Sequence, residues 1–480
     1  MKRLPLYCAA AGLVAAVLAW LVAPAPPRLD TTGLPAQLTD ILGDDTKGYR
    51  DLSVTVIEGG TATTASTGES LFEIGSVTKV LTGMLFADLV AEGMVRKDLT
   101  LGEAFPAADL KRTTASITLE ELASQRSGLP RLAPGPETYL QAMVSGLTGS
   151  NPYAGDDVKT LLSAAERAEP GDHRGKVSYS NFGMALLGHA LAAHTQKPYA
   201  QLVTERILTP LGLSATTIDP APADRSPGSR ATGSQVDPWS STGYAPAGVG
   251  PRSTAADLGK LVAATLAGTA PGADAATPRF TDGDGSRIGY AWFTTRYGTQ
   301  EITWHNGATG GFTSYVAFDP AAGKGVVVLG NTDRPVERIG LRLLGATPPE
   351  ESRSVVLPVV TVLLLTWAAS ALLYLAASAR RTVPEAGKAA WWESKPDRLR
   401  AVGTVLSTAA LLVLLHRIGA WLVIPPATWA VAAGLAVAGL IAVAATWRNL
   451  PTHTGGAAWI RWAGLTISAM ISTAVIVAVS

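Results

Sequence analysis

Four apolar segments near the C-terminus of this 480-residue chain constrain its fold more than any other feature. They cover residues 355–377, 401–424, 427–447 and 458–479. A helix needs about 20 apolar residues to cross the hydrocarbon core of a bilayer, where it must satisfy its own backbone hydrogen bonds. The sequence therefore predicts an all-α bundle of four transmembrane helices over residues 353–480.

A further apolar stretch, residues 4–23, follows Lys2 and Arg3 and ends at a proline-rich run. This pattern is typical of an export signal and predicts a signal peptide or signal anchor over residues 1–26. The small residues at its end suit cleavage, whereas the prolines and the length of the stretch favour an uncleaved anchor. Cys8 is the only cysteine in the sequence, so we expect no disulfide framework.

Basic residues in the connection between the first two C-terminal segments predict which side of the membrane it occupies. They are Arg380, Arg381, Lys388, Lys395, Arg398 and Arg400. Connections rich in Lys and Arg stay in the cytoplasm, and Lys2 with Arg3 gives the N-terminus the same side. Residues 27–352 are therefore expected outside the cytoplasm. Arg417 lies near one predicted span end, from which its side chain can reach the membrane surface, so we expect plain anchoring.

Overall charge and histidine spacing exclude several kinds of partner. The 39 Lys and Arg residues balance 38 Asp and Glu residues, so we expect no nucleic-acid partner. His189 and His194 are five residues apart, which is a poor spacing for joint chelation on a helix, and the other histidines form no cluster with them. We expect neither a metal nor another cofactor.

Between the apolar ends, residues 27–352 show strands first, helices in the middle and strands last. Residues 52–57 and 70–75 have strand patterns, and residues 76–92 have a helical one. Four further strands are predicted as an antiparallel meander at 289–297, 301–305, 313–318 and 325–330. This order indicates an α+β domain whose sheet joins the two ends of the segment. The long connection over residues 219–251 is expected to border a site.

The first candidate motif is Ser76-Val77-Thr78-Lys79, at the predicted turn from strand to helix. Three-residue spacing at a helix start puts the hydroxyl and the ammonium on one face. A serine needs a neighbouring base to become a nucleophile, and a lysine serves only if its pKa is lowered. Such a short motif also occurs by chance, with Ser76 as a helix cap and Lys79 as a surface amine.

Two further motifs lie at similar boundaries between elements. In Tyr179-Ser180-Asn181 the phenol could relay a proton, and the amide could hold a substrate carbonyl and fix the lysine. In His305-Asn306-Gly307, followed by Ala308, a strand edge could align an extended substrate, with Gly307 allowing close approach. The amides of Ser76 and Ala308 would then form an oxyanion hole.

Together the three motifs resemble those of the class C β-lactamase and DD-peptidase family, which carries S-x-x-K, Y-x-N and K/H-x-G. Further similarity lies in Ser127-Gly128-Leu129-Pro130, in Pro170-Gly171 and in Pro210-Leu211-Gly212-Leu213. The resemblance covers about residues 48–335. It implies a β-lactamase/DD-peptidase-like fold in which a helical domain packs on an antiparallel sheet, with the site between them.

By this resemblance Ser76, Lys79 and Tyr179 are catalytic, while Asn181, His305, Gly307 and Ala308 bind substrate. Either Lys79 or Tyr179 could be the general base. His305 replaces the lysine of β-lactamases and is only partly charged near neutral pH, so efficient β-lactam hydrolysis is not expected. Gln125-Arg126, where many relatives have His-Thr, is expected to be structural.

The predicted function is acyl transfer by a membrane-anchored serine hydrolase, with a D-amino-acid peptide or a small ester as substrate. The peptide could derive from peptidoglycan. A penicillin-binding sensor or scaffold with little turnover is the alternative, although a pure binder would need neither Lys79 nor Tyr179.

Overall fold

The computed structural model describes residues 3–68, 71–218, 227–350, 354–379, 396–452 and 458–479. The chain divides into two compact units. One comprises residues 27–231 and 235–350, and the other comprises residues 1–26, 232–234 and 351–480. Arg380, Arg381, Lys388 and Lys395, on which the predicted topology rests, lie outside the described residues. The side of the membrane therefore stays a prediction.

Eight of the strands in the larger unit form one antiparallel sheet in the order β2-β1-β12-β11-β10-β9-β8-β7. The strands are β1 (Leu52–Glu58), β2 (Thr61–Ser66), β3 (Phe72–Glu73), β4 (Gly228–Ser229), β5 (Gln235–Val236), β6 (Arg252–Ser253), β7 (Phe280–Thr281), β8 (Arg287–Ile288), β9 (Phe293–Tyr297), β10 (Gln300–Ala308), β11 (Thr313–Asp319) and β12 (Lys324–Gly330). β3 pairs with β6, and β4 with β5.

The sheet brings the two ends of the domain together, as the sequence pattern predicted. β1 pairs with β12 from Leu52 opposite Gly330 to Glu58 opposite Lys324. Every residue of β11 is buried, because the sheet is covered on both faces. The meander of β9 to β12 is confirmed, while the second predicted strand is reduced to the two residues of β3.

The helices of this unit fill the middle of the sequence. They are α2 (Ala36–Leu42), α3 (Thr78–Ala91), α4 (Leu101–Ala104), α5 (Arg112–Ala115), α6 (Leu119–Ala123), α7 (Pro136–Thr148), α8 (Val158–Arg167), α9 (Asn181–Thr195), α10 (Tyr199–Val203), α11 (Thr209–Leu211), α12 (Ala255–Leu266) and α13 (Glu337–Leu343). The remaining helices belong to the other unit. A capping box is present at Thr118 and Glu121, and Thr254 caps α12.

α3 and α9 run through the main hydrophobic core and carry the candidate motifs. Nearly every residue of α3, including Lys79, is buried, and α9 is buried from Phe182 to Leu191. A helix that is apolar on all sides belongs inside a protein. The position of α3 therefore explains why a lysine in its first turn is removed from water.

The smaller unit is all-helical. Its helices are α1 (Leu4–Leu21), α14 (Val356–Ser378), α15 (Arg398–Ile418), α16 (Ala427–Thr446) and α17 (Ala458–Val479). α1 packs closely on α16, because a Cβ on Gly12 would lie 3.0 Å from the carbonyl oxygen of Gly434. By length and composition, four described helices could cross a membrane: Leu4–Leu21, Val356–Ser378, Arg398–Ile418 and Ala427–Asn449. Trp462–Val477 is a shorter apolar helix.

The predicted end of the second C-terminal segment at residue 424 is wrong, since α15 ends at Ile418. Gly419 caps this helix with extended backbone, and the indole of Trp421 folds back to donate to the Leu415 carbonyl at 2.9 Å. Arg417 consequently lies in the last helical turn. This position agrees with the expectation that its charge lies near a helix end.

Candidate active site

Ser76 lies where β3 passes into α3 through the tight turn Gly75–Val77, as predicted. Gly75 has a φ of 49°, and a Cβ there would lie 2.8 Å from the amide nitrogen of Ala308. Glycine is therefore required by both the backbone conformation and the approach of β10. This close approach brings the sheet to Ser76.

Lys79 is fully buried, and its Nζ lies 2.8 Å from Ser76 Oγ. The amine also donates to the carbonyl oxygen of Ala247 at 2.6 Å. Burial lowers the pKa of Lys79 well below its usual range, and the nearby Arg131 adds to this effect. Lys79 is therefore suited to hold a neutral amine beside the serine hydroxyl.

Tyr179 lies two residues before the start of α9, and its side chain and Ser76 line one cavity. The cap of this helix fixes its position, because Ser180 Oγ accepts from Gly183 N at 2.8 Å and donates to the Pro130 carbonyl at 2.7 Å. Burial raises the pKa of Tyr179, so the phenol keeps its proton. Lys79 Nζ lies 4.9 Å from the centroid of its ring.

Asn181 lines the same cavity, and its Nδ2 donates to the Tyr153 hydroxyl at 3.4 Å. Its Oδ1 is buried and has no hydrogen-bond partner among the described residues. The expectation that this amide fixes the lysine is not met. The carbonyl of Ala247 holds Lys79 instead, a partner that a sequence does not reveal because every residue has a carbonyl.

His305 is brought beside Tyr179, with ring centroids 6.2 Å apart, but it is only 1% exposed. Burial, with a smaller effect of Lys79, lowers the pKa of His305 to about 3. Its Nδ1 lies 2.6 Å from the carbonyl oxygen of Asn306. The ring is therefore neutral, rather than partly charged as expected, at neutral pH.

Gly307 and Ala308 form an open strand edge beside Ser76. β10 pairs with β9 only as far as Trp304, whereas residues up to Ala308 pair with β11. A Cβ on Gly307 would lie 2.3 Å from the carbonyl oxygen of Ile74 and 3.0 Å from Ser76 N. The strand edge and the backbone of Ser76 are thus adjacent, which is the arrangement an oxyanion pair needs.

A buried ion pair holds the strand that leads to Ser76. Glu73 Oε1 lies 3.1 Å from an Nη atom of Arg252 and accepts from Trp239 N at 3.1 Å. Both charged side chains are nearly inaccessible. Burial raises the pKa of Glu73, while the Arg252 cation opposes that rise. The pair ties β3 to β6 and to the wall of the cavity.

The cavity beside Ser76 has a volume of about 780 Å³. One wall is aromatic: the Tyr153 ring centroid is 5.4 Å from that of Trp239 and 4.9 Å from that of Tyr244. Trp239 and Tyr244 belong to the connection expected to border a site, of which residues 219–226 are outside the described chain. That expectation is confirmed for its described part.

Sequence reasoning missed several cavity residues outside the motifs, among them Arg131, Tyr153 and Asp156. Arg131 follows the Ser-Gly-Leu-Pro turn directly, which was the available signal. Gln125 in the same loop is structural as expected, since its Oε1 accepts from Ser180 N at 2.7 Å. Within the described ranges, no group of three or more His, Cys, Asp or Glu side chains could hold a metal ion.

Comparisons with known proteins agree with this fold. No curated protein matches the chain. The class C beta lactamase from Rhodobacter sphaeroides shares 21% sequence identity at a TM-score of 0.55, covering 65% of this chain and 98% of that one. The D-alanine carboxypeptidase AmpC from Burkholderia cenocepacia shares 22% at a TM-score of 0.53, covering 64% and 97%.

At such identities these two structures establish the fold alone. The model of the family described as Beta-lactamase matches residues 36–346, well over half of the sequence. The antiparallel sheet and the helices of the larger unit lie within the matched segment. The chain belongs to the beta-lactamase family.

Proposed function

We propose that this protein is a membrane-anchored serine hydrolase that acts outside the cytoplasm through an acyl-enzyme on Ser76. The observation that carries the proposal is the 2.8 Å distance between Lys79 Nζ and Ser76 Oγ in a fully buried setting. A lysine whose pKa is lowered so strongly can accept a proton from serine. Membership of the beta-lactamase family supports serine hydrolase activity.

In the first half-reaction, Lys79 takes the hydroxyl proton as Ser76 Oγ attacks the substrate carbonyl. The developing oxyanion is bound by the amides of Ser76 and Ala308, which lie together because Gly75 and Gly307 carry no Cβ. The opposite pKa shifts of Lys79 and Tyr179 favour the lysine as base. A phenol with a raised pKa keeps its proton, so it is a poor base but can act as a proton donor.

The leaving group then receives the Tyr179 proton, which the protonated Lys79 can replace, since its Nζ lies 4.9 Å from the centroid of the Tyr179 ring. In the second half-reaction, water attacks the acyl-enzyme, and one of its protons restores the Ser76 hydroxyl. Each half-reaction returns Lys79 and Tyr179 to their starting protonation states.

The substrate we propose is a D-amino-acid peptide or a small ester. An extended acyl group can bind along the free edge of β10 near Ala308, and the aromatic wall gives it apolar contact. A cavity of about 780 Å³ accommodates a short peptide. With His305 neutral and buried, we expect only weak β-lactam hydrolysis.

The membrane side can be tested with single cysteines, because Cys8 is the only native one. In a Cys8→Ala background, Gly283→Cys places a thiol on an exposed loop of the domain, and Lys388→Cys places one in the predicted cytoplasmic connection. A membrane-impermeant maleimide should label the first in intact cells and the second only after lysis. The reverse pattern would refute the proposed orientation.

The catalytic proposal is tested by a panel of D-Ala-D-Ala peptides, D-aminoacyl amides, short-chain esters and a chromogenic cephalosporin. Native protein should turn over a peptide or ester, and Ser76→Ala should abolish that turnover. Activity that survives Ser76→Ala would refute the site. Acylation by penicillin without turnover of any panel member would favour the sensor or scaffold.

A further inference from the structure

Two arginines line the cavity beside Ser76, and they differ in what they contact. Arg230 donates through Nη2 to the carbonyl of Gly146 near the end of α7. Arg131 is exposed, and within the described part of the chain its guanidinium has neither a hydrogen-bond partner nor a paired carboxylate. A cation without a partner beside a nucleophile is available to an anionic ligand.

The backbone of Arg131 is held tightly against the catalytic tyrosine. Its carbonyl accepts from the amides of Asn181 at 3.0 Å and Phe182 at 3.3 Å, at the start of α9. Its guanidinium carbon lies 5.1 Å from the centroid of the Tyr179 ring, within the range of a cation–π contact. The charge is therefore already placed next to Tyr179 before a substrate binds.

Strand β10 does not supply a cation that could bind an anionic ligand. The lysine of the family's third motif is replaced by His305, which is 1% exposed and is absent from the cavity lining. Lys79 is committed to Ser76 and Ala247. Arg131 is thus the cation that remains available on the side of the site where Tyr179 lies.

The acidic residues of the cavity lie elsewhere. Asp156 acts electrostatically on Tyr153 and Tyr244, whereas Arg131 acts on Tyr153, Tyr179 and Lys79. The other acidic residue of the cavity lining, Asp333, is influenced by Arg230 rather than by Arg131. Within the described cavity lining neither carboxylate is paired with Arg131, so a substrate anion can approach its guanidinium.

Resting on the proposed function, in which Tyr179 protonates the leaving group, we propose that Arg131 is a specificity-determining residue that binds a carboxylate on the leaving group. The favoured substrate would then release an acid such as a 2-hydroxy or 2-amino acid with a free carboxylate. A guanidinium suits this task because its planar donors match a carboxylate.

The test compares two esters of one N-acyl-D-alanine, one releasing D-lactate and the other releasing the uncharged D-lactamide. Full-length wild-type protein should show a higher kcat/KM for the lactate ester. Arg131→Gln should reduce that preference by roughly 10- to 100-fold, as expected for a lost charge-assisted hydrogen bond. Arg131→Lys should retain part of the preference, because it keeps the charge without the planar donors.

Arg126→Gln is the matched control. Arg126 lies five residues earlier, stacks on Phe280 at 3.7 Å and donates to the Gly175 carbonyl, and it does not line the cavity. This variant should keep the wild-type preference. If Arg131→Gln leaves the preference unchanged, or lowers kcat/KM equally for both esters, the proposed role in binding the carboxylate is overturned.

A binding measurement separates this proposal from the proposed function. In a Ser76→Ala background, calorimetry measures the affinity for the lactate ester with and without Arg131→Gln. A loss of roughly tenfold or more supports the anion site even if the wild type turns over neither ester, a result that would count only against the proposed function. Equal or undetectable binding by both proteins overturns the anion site.

Discussion

Gly307 is the position at which a single methyl group should most directly damage the proposed oxyanion hole. An added Cβ would lie 2.3 Å from both the Ile74 carbonyl oxygen and Ser314 Oγ, and 3.0 Å from Ser76 N. Ser314 donates to that same carbonyl at 2.7 Å, so the methyl group would enter the contact that holds β11 against the turn. In Gly307→Ala, β10 must move away from Ser76.

Because this movement separates the amides of Ser76 and Ala308, the loss should equal that of one oxyanion donor. We expect kcat/KM for an ester to fall by roughly 10²- to 10³-fold, equivalent to about 3–4 kcal/mol of transition-state binding. Crowding should also lower the free energy of unfolding by about 1–3 kcal/mol. Ester hydrolysis and denaturant unfolding measure the two effects separately.

Gly283→Ala is the control for this substitution, because Gly283 is exposed, has no positive φ and offers open space to a Cβ, with no heavy atom within 4 Å of it. It should retain wild-type activity and stability. A folded Gly307→Ala protein with activity within about threefold of the wild type would refute the assigned oxyanion geometry.

Three further predictions follow from the buried titratable side chains. The acylation rate should fall on the acid side as Lys79 becomes protonated, at a pH well below the ordinary lysine pKa; a rate that rises only near an ordinary lysine pKa would contradict the assigned base. Between about pH 6.5 and about pH 3 the unfolded chain protonates His305 while the folded chain does not, so this residue should lower the free energy of unfolding by about 1.4 kcal/mol for each pH unit of acidification, and His305→Asn should remove that contribution in unfolding titrations. Glu73→Gln should destabilise the domain by about 3–5 kcal/mol by leaving Arg252 buried without its partner, and adding Arg252→Met should restore part of the loss; equal stability of the two variants would exclude this explanation.

The sequence allowed prediction of the elements that carry the chemistry, because local spacing controls them. The three-residue separation of Ser76 and Lys79 at a helix start has a direct physical signature, whereas the cap that Ser180 gives to α9 was seen only in the structure. Hydrophobic alternation likewise predicted the meander that brings Gly307 to the site. Such patterns depend only on neighbours along the chain.

Other features depend on contacts between distant segments. The carbonyl of Ala247 meets Lys79 across 168 positions of sequence, and main-chain carbonyls carry no residue-specific signal. The neutral state of His305 results from burial by surrounding elements rather than from its own motif. α15 ends early at Gly419, where an added Cβ would lie 2.5 Å from the indole of Trp421. Hydropathy does not register this packing, so Gly419 was included in an apolar segment.

Covalent labelling of the full-length protein with a fluorophosphonate, followed by mass mapping of the peptide, tests the central claim that Lys79 activates Ser76 as the nucleophile. Wild-type protein should carry one label, at Ser76; Ser76→Ala should carry none, and Lys79→Met should react roughly 10²- to 10⁴-fold more slowly. A label on another residue, undiminished labelling of Ser76→Ala, or an unchanged rate in Lys79→Met would contradict the account.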